Sequence, residues 1–125
     1  MGFYEIHVRE QFSAAHALRE YQGDCARLHG HNWSVELCVK CSDLDKIGIG
    51  IDFRELKKML KEVIGKLDHQ NLNEISEFQD LNPTSENIAK FIFRALKEKV
   101  QAKGAKIARV TTSESTATQA SYWEE

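Results

Sequence analysis

The chain has 125 residues, 42% of them hydrophobic and 29% charged, with a net charge of −2 and a pI near 6.2. That length gives one domain, 1–125, with a single core, and it is short for a deep substrate cavity, so a site shared between subunits is expected. The composition excludes intrinsic disorder, and the lack of a clustered Lys/Arg run argues against a nucleic-acid partner while leaving room for a local basic pocket that takes one small anionic ligand.

The N-terminal segment, Met1 to His7, has no basic stretch followed by an apolar one, and no apolar run approaches the ~18 residues of a membrane span. The expectation is a soluble, cytoplasmic protein without a membrane partner. Along the first segment Tyr4, Ile6, Val8, Phe12, Ala14 and His16 share one parity. This alternation predicts a long strand, with Glu10 the one polar interruption and a candidate bulge. A loop over Glu20–Leu28 leads into a second alternating run. There His29, His31, Trp33, Val35, Leu37, Val39 and Cys41 take one parity, and Asn32, Ser34, Glu36 and Lys40 the other. Cys25, Cys38 and Cys41 are an odd set without disulfide-framework spacing, as expected of a reducing compartment. Cys38 and Cys41 form a C-x-x-C pair, but residues three apart on a strand point to opposite faces, so a joint metal or redox role is disfavoured.

Ser42–Ile51 reads as a turn region, after which the period changes. Phe53, Leu56, Leu60, Val63, Ile64 and Leu67 recur at three and four, an amphipathic helix with Asp52 and Glu55 as a capping box. It ends near Leu67, before the cap-forming and turn-forming run Asp68 to Asn73. Asn82-Pro83-Thr84-Ser85-Glu86 announces a second helix, with a hydroxyl to cap free amides and Glu86 to complement the dipole. Its stripe is Ile88, Phe91, Ile92, Ala95, Leu96 and Val100, and Gly104 stops it. Two strands follow, over 106–113 and 118–123. The order β-β-α-α-β-β predicts an α+β fold, with both helices covering one face of an antiparallel sheet.

His29 and His31 stand at i and i+2 on a strand, hence on one face, and Gly30 between them permits close approach. His16 ends the neighbouring apolar face and can supply a third nitrogen. Three imidazoles leave a tetrahedral zinc ion one open position, the arrangement of catalytic sites. Cys25, four residues before His29, could be a fourth ligand of a closed site, a thiolate nucleophile or base favoured by a nearby cation, or a small buried residue. Spacing leaves these open. Asp68 precedes His69 and could orient its imidazole, although a histidine compensating a helix C-terminus explains the pair as well. Glu114, alone, reads as surface charge at a strand end.

The set Phe12-Ser-Ala-Ala-His16, Cys25-x-x-x-His29-Gly-His31, Ile51-Asp-Phe53, Leu67-Asp-His-Gln-Asn-Leu-Asn73, Asn82-Pro-Thr-Ser-Glu-Asn87 and the late Glu114 resembles the 6-pyruvoyl-tetrahydropterin synthase family over essentially the whole chain. The three residues between Cys25 and His29 resemble most its bacterial 6-carboxy-tetrahydropterin synthase branch, which serves queuosine biosynthesis. The resemblance implies the tunnelling fold (T-fold), in which subunits form a trimeric antiparallel barrel and two trimers stack into a homohexamer. It implies zinc on His16, His29 and His31, Cys25 as proton acceptor, and His69 with Asp68 as proton relay. It implies that Glu114 grips the pterin and joins the relay, and that Thr84 and Ser85 line the pterin pocket. The implied substrate is 7,8-dihydroneopterin triphosphate, cleaved to the carboxy product with release of acetaldehyde and triphosphate. A 6-pyruvoyl-tetrahydropterin synthase is the alternative, and a non-catalytic zinc module a further one. Ser113 stands where the family more often has an aromatic, and the Arg19–Asp24 loop is short.

Overall fold

Alternation along the two longest strands decides the architecture. In the computed structural model, which describes residues 2–125 and so leaves Met1 outside, β1 spans Tyr4–His16 and β2 spans His29–Cys41. They pair antiparallel without interruption, Tyr4 opposite Cys41 at one end and His16 opposite His29 at the other. This register puts the apolar parity of both strands on one face, and a slip by one residue would turn every one of those side chains to the other. The ladder runs straight through Glu10, which faces Val35, so the bulge expected there is absent. Glu10 is instead accommodated by the ammonium groups of Lys57 and Lys61, at 3.8 and 3.9 Å.

Two helices cover that face. α1, Phe53–Ile64, starts where the Asp52 carboxylate accepts the Arg54 amide at 2.8 Å, and it buries Leu56, Leu60, Val63 and Ile64. Two expectations for it need correction. Glu55 does not complete a reciprocal capping box but pairs with Lys103 at 3.5 Å, and Phe53, in the first turn before the helix reaches the sheet, is 63% exposed. α2, Ser85–Gln101, is capped by Thr84, whose Oγ1 accepts the Asn87 amide at 3.1 Å. It buries Ile88, Ala89, Ile92, Phe93, Leu96 and Val100, and the chain leaves it through Gly104 at φ +81°, a conformation open to a residue without Cβ. These side chains join Val8, Phe12, Trp33, Val35, Leu37 and Val39 in one core.

The sheet is mixed rather than purely antiparallel. A two-residue strand β3, Gln70–Asn71, runs parallel to β1 at Ala14 and Ala15, and the strand order is β3-β1-β2-β4-β5, with β4 at Lys106–Ser115 and β5 at Thr118–Tyr122. The sequence signal missed β3 because two residues carry no period. The second face of the sheet is uncovered within the chain and carries Glu5, His7, Arg9, Gln11, Asn32 and Lys40. Among the described residues no helix is long and apolar enough to cross a membrane.

Candidate metal centre and its surroundings

The β1–β2 register makes His16 and His29 direct cross-strand partners and places His31 opposite Ala14, one step further on the same face. One ring nitrogen from each of the three lies within 4.8 Å of the others. Trp33 floors the cluster, fully buried, with its ring edge-on to His16 and His31 at centroid distances of 5.0 and 5.6 Å. Its indole N–H donates to the Ala14 carbonyl at 3.3 Å, which fixes the floor to β1.

Two backbone carbonyls set which nitrogen of each ring faces inward. His16 Nδ1 donates to Pro83 O at 2.7 Å, and His29 Nδ1 donates to Arg27 O at 2.6 Å. Each bond commits a proton to Nδ1 and leaves Nε2 with a lone pair, the preparation seen in histidines that bind metal. His16 is 1% exposed, and burial pushes its imidazolium down despite the opposing pull of the Pro83 carbonyl and Glu114. The Nε2 atoms of His16 and His31 are buried without a hydrogen-bond partner. Two orphaned nitrogens facing one point are costly in a closed protein and are what a divalent ion would satisfy. The donor set therefore fits a metal, and three imidazoles suit zinc among other transition ions.

Glu114 reaches the same point. Its carboxylate oxygens lie 3.2 Å from His31 Nε2 and 3.7 Å from His16 Nε2. Its direction comes from an irregularity in β4–β5 pairing, where Ser113 and Glu114 together stand opposite the single residue Gln119. Such a bulge re-aims a side chain. No sequence period marks it, so Glu114 looked like surface charge on local grounds.

The remaining candidates fall in three places. Asp68 and His69 do meet, with His69 Nδ1 3.0 Å from Asp68 Oδ1. The same oxygen accepts the Ser13 amide at 2.9 Å, and that bond first, then His69, holds the Asp68 carboxyl below its ordinary range. His69 is held at φ +60°, its N–H donating to Ser13 O at 2.6 Å and its side chain 82% exposed. It shares with His31, Ser13, Asn32 and Gln70 the wall of an open depression of about 550 Å³. Cys25 sits half-buried in a single 3-10 turn, Asp24–Ala26, and is not among the residues whose ligand atoms converge with the three histidines. Thr84 spends its hydroxyl oxygen on the α2 cap, and Ser85 offers its carbonyl to the Thr112 hydroxyl at 2.7 Å.

What sequence reasoning did not single out is how the loop carrying Cys25 is tied down. Asn73 accepts the Ala17 amide at 2.8 Å and returns a bond to the Ala17 carbonyl at 2.9 Å. Asn82 treats Arg19 in the same way, at 2.8 and 2.9 Å, and Leu18 donates to the Cys25 carbonyl at 2.9 Å. Both asparagines imitate a strand neighbour for a segment that has none. The signal was available only as two Asn in polar runs.

Comparison with known proteins bears on the family and the fold. The family model described as 6-pyruvoyl tetrahydropterin synthase matches residues 5–125. A Synechocystis protein named 6-carboxy-5,6,7,8-tetrahydropterin synthase is 37% identical over 98 residues, 74% of this chain and 74% of its own. A Pyrococcus furiosus protein named dihydroneopterin monophosphate aldolase is 40% identical over 93 residues, 74% of this chain and 75% of its own. The solved structure of Caenorhabditis elegans 6-pyruvoyl tetrahydropterin synthase superposes with a TM-score of 0.87 at 27% identity, covering 100% of this chain and 98% of that one.

Proposed function

Because the chain belongs to the 6-pyruvoyl tetrahydropterin synthase family, we propose that it is a zinc-dependent carbon–carbon lyase acting on 7,8-dihydroneopterin triphosphate. With a water consumed, the products are 6-carboxy-5,6,7,8-tetrahydropterin, acetaldehyde and triphosphate, in the cytoplasmic supply of queuosine precursors. The observation that carries the reading is the convergence of His16, His29 and His31 with two buried Nε2 atoms that lack a hydrogen-bond partner.

His16, His29 and His31 would hold the ion. When bound, zinc supplies Lewis-acid polarisation of the substrate's side-chain hydroxyls, making neighbouring protons easier to remove. Cys25, on its tethered turn, takes the proton at the side chain as a thiolate. Asp68 fixes the tautomer of His69 through Nδ1, leaving Nε2 to pass a proton toward the ring. Glu114 accepts from the pterin's amino and ring N–H groups, and the fixed orientation makes the transfer selective. Thr84 and Ser85 line the pterin side of the pocket. Assembly into a trimeric barrel and then a hexamer would close over the polar sheet face that one chain leaves bare.

Incubating the zinc-loaded protein anaerobically with dihydroneopterin triphosphate should release one acetaldehyde per triphosphate. A 6-pyruvoyl product without acetaldehyde would reject the carboxy reaction in favour of the synthase reading, which the C. elegans structure supports. The Pyrococcus relative motivates a second arm with dihydroneopterin monophosphate: turnover of that substrate alone, leaving a one-carbon side chain on the pterin, would point to aldol cleavage. Zinc retained with no turnover of either substrate would leave the non-catalytic zinc module.

A further inference from the structure

The bare face of the sheet carries a second group of ligating side chains, at the far end of β1 from the histidine cluster. Glu5 and His7 stand at i and i+2 on that face, and Cys38 is the direct cross-strand partner of His7. His7 precedes His16 by nine residues on the same strand, roughly 30 Å at strand rise, and has the opposite parity, so the two groups share no atoms and no face. His7 Nε2 lies 3.8 Å from Cys38 Sγ and 3.6 Å from Glu5 Oε1, and the three donor atoms all lie within 4.8 Å of one another.

Those edges can be compared with chemistry. Zinc bonds of about 2.3 Å to sulfur and about 2.0–2.1 Å to nitrogen or oxygen, at tetrahedral angles, give edges of about 3.6 Å for S···N and about 3.4 Å for N···O. The two edges from His7, at 3.8 and 3.6 Å, need to close by only a few tenths of an ångström. The other nitrogen of His7, Nδ1, lies 3.4 Å from Glu36 Oε1, the carboxylate–histidine arrangement that orients a ligating imidazole.

We propose that Glu5, His7 and Cys38 form a second metal site, taking a borderline-soft divalent ion such as zinc, with Glu36 positioning His7. A thiolate, an imidazole and one carboxylate select this class over calcium or magnesium, which require oxygen cages. Cys41 takes no part, since it belongs to the core on the opposite face. Arg109 is the competitor: its Nη1 lies 3.5 Å from Glu5 Oε2, the oxygen not facing His7. Its side chain is 37% exposed in the single chain. Without an ion, burial pushes the Cys38 thiol up to about 11. Binding replaces the S–H bond by an S–metal bond and releases that proton.

The test is titration of the metal-free full-length chain with Co²⁺, following stoichiometry and the thiolate-to-cobalt charge-transfer band in the near ultraviolet. Two ions per chain are expected, with the band belonging to one of them. The band should survive Cys25→Ser and His29→Ala. It should vanish in His7→Ala, with the count falling from two to one, and weaken in Glu5→Gln; both positions are exposed, and circular dichroism verifies that the variants fold. No charge-transfer band in the parent chain overturns the proposal. So does a band removed by Cys25→Ser or one that persists in His7→Ala. Because His29→Ala empties only the histidine cluster, failure here is distinguishable from failure of the lyase reading.

Discussion

His69 is the residue whose backbone carries most information. A non-glycine residue at φ +60° costs about 1–2 kcal/mol, and it persists because Ser13 binds both its N–H and the neighbouring Asp68 carboxylate. His69→Asn, which tolerates that conformation, should leave the melting temperature nearly unchanged while lowering turnover by about 10²–10⁴-fold. Unchanged turnover would remove His69 from the mechanism. Cys25→Ala should likewise retain the metal and the fold while abolishing most turnover, as metal analysis and an activity assay would read. Loss of metal in that variant would revive the fourth-ligand reading, against the position of Cys25 outside the histidine cluster. The histidines were readable from parity alone, since i and i+2 on a strand share a face. Their tautomers were not, because Pro83 and Arg27 act through carbonyls that every residue possesses.

At the scale of elements, α2 is held at both ends by identifiable groups. Thr84→Ala should cost about 1 kcal/mol of stability through the lost cap, and Thr84→Ser should restore it. If Thr84→Ala instead leaves thermal stability intact but weakens pterin binding, the hydroxyl serves the ligand. Near the other end, Glu124 binds Tyr122, Lys97 and Arg94, at 2.6, 2.9 and 3.3 Å for the closest atoms, tying the tail after β5 to α2. The Tyr122 hydroxyl first, then Lys97, brings its carboxyl down to about 2. A depressed carboxyl stabilises the fold above its unfolded value of about 4.5 and loses that contribution as pH falls toward about 2. The melting-temperature difference between the parent and Glu124→Gln should therefore be full at pH 7, shrink below pH ~4.5 and be gone near pH 2. A difference constant across that range would assign the effect to something other than the carboxylate. Both helices and four of five strands were legible from period, whereas β3 and the β4 bulge were not, because each is a two-residue event set by its neighbour.

For the whole molecule, Phe3, Tyr4, Leu44, Ile47 and Phe53 remain exposed. Together with the polar open sheet face they favour assembly, and light scattering should give the mass of six 14.3 kDa chains. A fully active 14.3 kDa species would remove assembly from the proposal. Which residues alternate, which recur at helical period and which three imidazoles can share a metal are local properties, so the sequence by itself determined the α+β order, the core faces and the histidine cluster. Tertiary structure alone decided that Glu114 turns to those histidines while Asp68 and His69 form a separate pair at Ser13. It also decided that two asparagines hold the Cys25 loop, and that Glu5, His7 and Cys38 meet. Each depends on the register between distant strands, and register is settled by the sum of core contacts rather than by any one residue's neighbours in the chain.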